Sequence, residues 1–157
     1  MAPVGASRVG VLGISREPDS AVSRTDDNAL TSTNLERGIV INPNTSLSAV
    51  ECTLSSNSSD FTKAYIYKQS DGSLLTDTDI STLSAGDTFE LDASLSSSTA
   101  YNITIDAEGA NYTIGFYDSA SFPYTSTDVD ITAGAEGATG TSSSIAFGIV
   151  TIGAFVE

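Results

Sequence analysis

The chain has 157 residues, a formal net charge of −14, one cysteine and no histidine. Its length is sufficient for one stable domain without a metal or a disulfide. The absence of histidine excludes Ser-His-Asp and Cys-His catalytic arrangements and imidazole metal sites. Because the negative charge repels polyphosphate and no apolar run reaches about 18 residues, we expect neither nucleic-acid binding nor membrane insertion.

The first residues differ in composition from the rest of the chain. Met1–Ile14 are mostly small and apolar, and the following residues are polar. The start lacks the basic segment, the longer apolar stretch and the cleavage site of a secretion signal. We therefore expect a short extended N-terminal arm over residues 1–19 on a chain that is not exported through a signal sequence.

Apolar and polar residues alternate with a period of two residues through most of the remaining chain, which is the pattern of half-buried strands. Turn signals such as Ser70-Asp71-Gly72 and Glu108-Gly109 separate these stretches. The predicted strands cover 38–41, 47–54, 63–68, 73–78, 87–92, 100–106, 112–117, 129–132 and 144–155. Their spacing predicts an all-β chain, with an antiparallel β-sandwich of the jelly-roll type over residues 20–157.

The last predicted strand is apolar on both faces, which predicts a strand that is central in its sheet or covered by a partner. The two faces carry Ile145, Phe147 and Ile149, and Val150, Ile152, Ala154 and Val156.

Nothing in the sequence indicates an enzyme. Cys52 has the same parity as Val50 and Leu54, so we expect a buried thiol rather than a reactive one. Glu51 and Glu90 have the outward parity of their strands, where solvated carboxylates are far commoner than a glycosidase pair.

Five aspartates have a spacing that could provide oxygen ligands to calcium or magnesium. Asp77 and Asp79 lie two residues apart near Asp71, and Asp128 and Asp130 are spaced in the same way. Each pair could turn two carboxylates to one side of an extended segment. Because calcium takes six to eight oxygens, solvated acidic loops are the favoured alternative.

Aromatic residues are concentrated between 116 and 124. Tyr117, Phe122 and Tyr124 have acidic and hydroxyl neighbours, a composition that suits stacking on sugar rings. A loop that plugs the edge of the sandwich is the favoured alternative, because loop aromatics bury well at low entropy cost.

The acidic composition favours a halophilic source over an acidic mesophilic one. Twenty acidic residues stand against six basic ones. Self-repulsion weakens a compact fold at ordinary salt, but the screening length falls to about 3 Å at 1 M salt.

Several turn and strand phrases together resemble a known type of module. They are Arg37–Asn44, Ser55–Asn57, Leu83–Phe89, Tyr101–Ala107 and Ser121–Thr125. Over about residues 20–155 the chain resembles jelly-roll modules of structural proteins from haloarchaea and their tailed viruses, which look like carbohydrate-binding modules. The resemblance implies a fold and transfers no catalytic residue.

We therefore expect a virion structural protein, made in the host cytoplasm and located on the particle exterior. A capsid decoration or turret component would be homo-oligomeric and would dock on other virion proteins. The alternative is a receptor-binding tail fibre or baseplate component that recognises host-surface glycan. A free glycan hydrolase or cellular binding module is the third hypothesis.

Overall fold

The computed structural model describes residues 16–33 and 35–157. Their strands are β1 (Ser20–Ser23), β2 (Asn28–Thr33), β3 (Arg37–Pro43), β4 (Leu47–Leu54), β5 (Lys63–Lys68), β6 (Ser73–Asp79), β7 (Thr88–Leu95), β8 (Tyr101–Asp106), β9 (Asn111–Tyr117), β10 (Val129–Glu136), β11 (Gly140–Ser142), β12 (Ala146–Phe147) and β13 (Ile149–Val156). Across these ranges the chain is all-β, as its alternation predicts, and no helix there could cross a membrane.

The strands form three antiparallel sheets. One has four strands in the order β1-β13-β4-β7, and the second has six in the order β11-β10-β3-β8-β5-β6. A small third sheet has the order β12-β9-β2. The sheets enclose one apolar core, which is the layered arrangement of a β-sandwich.

Alternate residues of the central strands supply this core. Cys52 and Leu54 of β4 and Ile103 and Ile105 of β8 have no exposed surface. Full burial of such aliphatic side chains contributes about 1.5–3 kcal/mol each. Burial also raises the pKa of the Cys52 thiol, which confirms the prediction of a core cysteine.

The predicted strand over residues 144–155 is wrong as a single element. Gly148 has a φ of 70° and separates β12, which pairs with β9, from β13, which pairs with β4. The register against β4 then shifts between Ile149 and Thr151. Residues three apart on a regular strand point to opposite faces. Because of this shift, Ile149 and Ile152 both point into the core.

The double apolar pattern of this segment nevertheless predicts its environment correctly. β13 is central, between β1 and β4. Phe155 points away from the core side but is only 1% exposed, because the Arg16 guanidinium lies 3.7 Å from its ring centroid. Pro18 lies against Gly153 of the same strand, so residues of the chain itself cover this face.

Of the predicted N-terminal arm, residues 1–15 lie outside the described residues. The described residues of the arm, 16–19, lie alongside β13 and lead into β1. The backbone N–H of Asp19 donates to the carbonyl of Ala154 at 2.7 Å, and the Asp19 carboxylate accepts from the N–H of Val156 at 2.8 Å.

Candidate functional site

Of the three predicted aromatic residues, Phe122 and Tyr124 lie between β9 and β10 and pack against the core, whereas Tyr117 is the last residue of β9. Phe122 and Tyr124 meet edge to face with ring centroids 5.7 Å apart, and both are half-buried against the core. Tyr124 also pairs with Ile131 through backbone hydrogen bonds of 2.9 and 2.8 Å. Tyr117 lies in β9 opposite Ala146. Phe122 and Tyr124 therefore form a plug on the sandwich, and glycan binding by the three residues stays a prediction.

Two of the predicted metal ligands are used in turns. Asp71 Oδ1 accepts from the backbone N–H and the hydroxyl of Ser73 at 3.0 and 2.7 Å. Asp79 Oδ1 accepts from the same two groups of Ser81 at 2.8 and 2.6 Å. The serine hydroxyl and backbone hydrogen bonds hold the pKa of both carboxyls below its ordinary value.

The other three aspartates make separate contacts. Asp77 lies 3.5 Å from Lys63 Nζ, and Asp128 accepts from the Ser20 hydroxyl at 2.7 Å. Asp130 accepts from the Asn44 side-chain amide at 3.1 Å. Across residues 16–33 and 35–157, no three acidic or cysteine side chains form a group that could hold a metal. Calcium or magnesium binding stays a prediction.

Glu51 and Glu90 are directly opposite each other on β4 and β7, on the face that points away from the core. The Arg16 guanidinium lies 3.4 Å from Glu90 Oε2 and also stacks on Phe155. Arg16 therefore offsets the repulsion between two facing carboxylates, which is a structural role for this pair.

The loops that follow β4 and β6 border two depressions. The first has a volume of about 260 Å³ and is lined by Arg24, Asp26, Ser55 and Val150 among others. Arg24 and Asp26 are an ion pair with side chains 0% and 1% exposed. The second, of about 370 Å³, is lined mostly by serines beside Asp60 and Phe61.

The outer face of the six-stranded sheet carries two neighbouring tyrosine rings. Tyr65 and Tyr67 alternate along β5 with Ala64 and Ile66, which are fully buried. The tyrosines are half-buried, their ring centroids lie 5.8 Å apart, and their planes differ by 22°. We call these two residues and their carboxylate partners, Glu36 and Asp106, the tyrosine face.

Carboxylates fix both tyrosine hydroxyls. Tyr65 donates to Asp106 Oδ1 at 2.9 Å, and Tyr67 donates to Glu36 Oε2 at 2.9 Å. The other oxygen of Glu36 accepts from the Thr104 hydroxyl at 2.7 Å. Desolvation, followed by these hydrogen bonds, raises the pKa of both tyrosines above its ordinary value. The rings are thus held in defined positions before any ligand binds.

β8 forms the polar floor beside these rings. Asn102 and Thr104 point outward, yet both are 0% exposed. The Asn102 side-chain amide donates to the carbonyls of Gly137 and Gly140 at 3.0 Å each, so the loop between β10 and β11 lies over β8. The Gln69 side-chain amide donates to Asn102 Oδ1 at 3.3 Å.

The outer rim of the tyrosine face is chemically mixed. Lys63 Nζ lies 5.8 Å from the Tyr65 ring centroid and 3.5 Å from Asp77. Leu74 is opposite Tyr67 across the β5–β6 pair and is 48% exposed. A donor, an acceptor and an apolar side chain therefore border the two rings.

This arrangement can bind a ligand but contains no evident catalytic constellation. No protein-family model matches the chain, and no curated protein matches it significantly. Its function is therefore argued from the geometry and the charge.

The sequence analysis did not predict the tyrosine face, although the residue pattern of β5 indicates the outward direction of its two tyrosines. In Lys63–Lys68 the apolar Ala64 and Ile66 define the inward parity, which places both tyrosines outward. The hydrogen bonds to Glu36 and Asp106 join residues far apart in the chain and have no local pattern.

Proposed function

We propose that the chain is a non-catalytic structural protein of the exterior of a halophilic tailed virus, as a capsid decoration or turret component. It is made in the host cytoplasm and docks on other virion proteins and on copies of itself. The resemblance in sequence, the all-β fold and the acidic composition support this proposal.

We further propose that the domain is a jelly roll, because its strand pairs are nested. β1 pairs with β13, β3 with β8, β4 with β7, and β5 with β6. Rolling one long hairpin of this kind into two facing four-stranded sheets produces a jelly roll. The remaining strands extend the second sheet or form the small third one.

The surface charge supports a particle that works in concentrated salt. Within the described ranges, four basic side chains form ion pairs, namely Arg16, Arg24, Arg37 and Lys63. With twenty acidic residues in the chain, most carboxylates have no cation to neutralise them. Such a surface stays hydrated in concentrated salt, where its self-repulsion is screened.

The single observation that carries the docking proposal is the exposed edge strand β6. Among the described residues it pairs only with β5, and it presents Leu74 and Leu75 at 48% and 41% exposure. An open edge with large apolar side chains is a surface that folded proteins normally protect or use for assembly. A neighbouring virion subunit would cover it.

A serine variant of this edge tests the proposal. We expect Leu74→Ser/Leu75→Ser to lose self-association in sedimentation velocity in molar sodium chloride and to lose incorporation into particles. Val156→Ser is the matched control, because Val156 is 38% exposed in a different sheet. Purified particles that lack the chain, or that incorporate the double variant normally, would contradict the proposal.

A receptor-binding tail fibre or baseplate component that recognises host-surface glycan is the second candidate. The half-exposed and fixed rings of Tyr65 and Tyr67 favour it. Copy number per particle separates the two candidates, because a decoration is present in far more copies than a tail component.

A further inference from the structure

We propose that the tyrosine face binds a neutral saccharide chain. This inference deepens the second candidate function and is independent of the first. It rests on the geometry of two aromatic rings, on the polar groups around them and on the charge of the molecule.

Tyr65 and Tyr67 provide two adjacent apolar platforms. The two rings stack with centroids 5.8 Å apart and planes that differ by 22°, so together they form one aromatic surface on which a glycan can place the C–H faces of its sugar rings. Residues two apart on one strand are about 6.5 Å apart, which is compatible with successive rings of a linear glycan.

The carboxylate partners make the platforms rigid, and the half-buried Glu36 leaves an acceptor at their edge. Asp106 and Glu36 already bind the tyrosine hydroxyls, so little side-chain freedom is lost when a ligand binds. Carboxylate oxygens have further lone pairs that can accept from sugar hydroxyls. Lys63, whose Nζ lies 5.8 Å from the Tyr65 ring centroid, adds a donor.

The charge selects the class of saccharide. Glu36, Asp106 and Asp77 lie at or beside the rings, while the Lys63 ammonium lies 5.8 Å from the Tyr65 ring centroid. The chain as a whole carries a formal charge of −14. Sulfated or uronic-acid chains would be repelled, whereas neutral hexoses would not.

Three of the other described tyrosines are less suited to this role. Tyr112 is 2% exposed, and its hydroxyl donates to the carbonyls of Leu35 and Ile105. Tyr124 packs edge to face on Phe122 and against the core. Tyr101 is 4% exposed.

The test is titration of the full chain with neutral linear hexasaccharides of glucose, mannose and galactose, at the lowest sodium chloride concentration at which circular dichroism shows the folded chain, so that charge repulsion is not screened. Dextran sulfate is the anionic comparison. We expect at least one neutral probe to bind, dextran sulfate not to bind, and Tyr65→Ala and Tyr67→Ala each to weaken binding about tenfold or more.

Two further variants protect this test against misfolding and against the wrong site. Tyr67→Trp keeps an aromatic platform and should retain binding, while Val156→Ser changes an exposed residue of the four-stranded sheet, leaves the tyrosine face intact and should bind as the parent does. The inference is overturned if no neutral probe binds, if dextran sulfate binds equally well, or if Val156→Ser abolishes binding and Tyr65→Ala does not. A chain that binds neutral saccharide but is absent from particles contradicts the proposed function alone.

Discussion

Arg24 and Asp26 form a buried ion pair next to Gly115 and Ser55. Burial is the main influence on Arg24 and lowers the pKa of its guanidinium, whereas the neighbouring Asp26 raises it. Removing only one member of such a pair leaves an uncompensated buried charge.

We therefore expect Arg24→Met to lower the free energy of unfolding by about 3–5 kcal/mol, measured by urea denaturation at constant salt. The Arg24→Met/Asp26→Asn double variant should lose less, because no charge is then left unpaired. Additive losses in this cycle would show that the two side chains do not depend on each other.

The tyrosine face predicts a distinctive alkaline titration. The pKa values of Tyr65 and Tyr67 are raised in the folded chain, so both hold their protons more tightly than in the unfolded chain. Their contribution to stability is complete below the ordinary pKa of 10.0 and decreases as the pH rises towards the folded-state values.

Tyrosinate absorbance at 295 nm measures this effect. We expect Tyr65→Phe and Tyr67→Phe to remove amplitude from the part of the absorbance rise at the highest pH and to leave its early part, at lower pH, unchanged. Loss of the early part instead would mean that these two hydroxyls ionise as ordinary exposed phenols do.

At the scale of elements, Gly148 sets the route of the chain from the small sheet into the four-stranded one. Its φ is 70°, and a Cβ there would lie 2.9 Å from the Ile114 side chain. Gly86 has a φ of 87°, but no atom lies within 4 Å of the position of an added Cβ. A substitution at Gly86 therefore measures the cost of the backbone conformation alone.

We expect Gly86→Ala to destabilise the fold by about 1–2 kcal/mol and Gly148→Ala by about 2–4 kcal/mol, by thermal and urea unfolding. The difference between the two losses of stability measures the cost of the steric clash between the new Cβ at position 148 and Ile114. Equal losses at the two sites would mean that Ile114 moves aside without cost.

Alternation predicted the strands whose two faces have different environments. The segments 47–54 and 63–68 coincide with β4 and β5, because one parity is buried and the other is polar. β2 was missed because four of the six residues of Asn28–Thr33 are polar and the strand is recognised only through its pairing with β9. The break at Gly148 was missed because the apolar pattern continues across it.

The candidate site was predictable only in part, because alternation indicates the direction of a side chain but not its contacts with residues distant in the chain. The parity of β5 fixes the outward direction of Tyr65 and Tyr67. The burial of Asn102 depends on the carbonyls of Gly137 and Gly140, which are distant in the chain, so no local pattern indicates it.

For the whole molecule, the excess of carboxylates predicts stability that increases with salt. We expect the melting temperature to rise by on the order of 10 °C between 0.1 and 3 M sodium chloride, because screening removes self-repulsion. The Asp60→Asn/Asp92→Asn/Asp118→Asn variant replaces three exposed carboxylates and should show a smaller rise. A melting temperature that does not change with salt would remove the halophilic interpretation.

The position of β13 also has a consequence for biosynthesis. β1 and β4 leave the ribosome long before β13, yet β13 lies between them. The nascent polypeptide therefore holds two incomplete sheet edges until translation has passed Val156, and the fold closes only afterwards. Premature termination within Ile149–Val156 would release a product with an open groove through its middle, a ready substrate for cellular proteases.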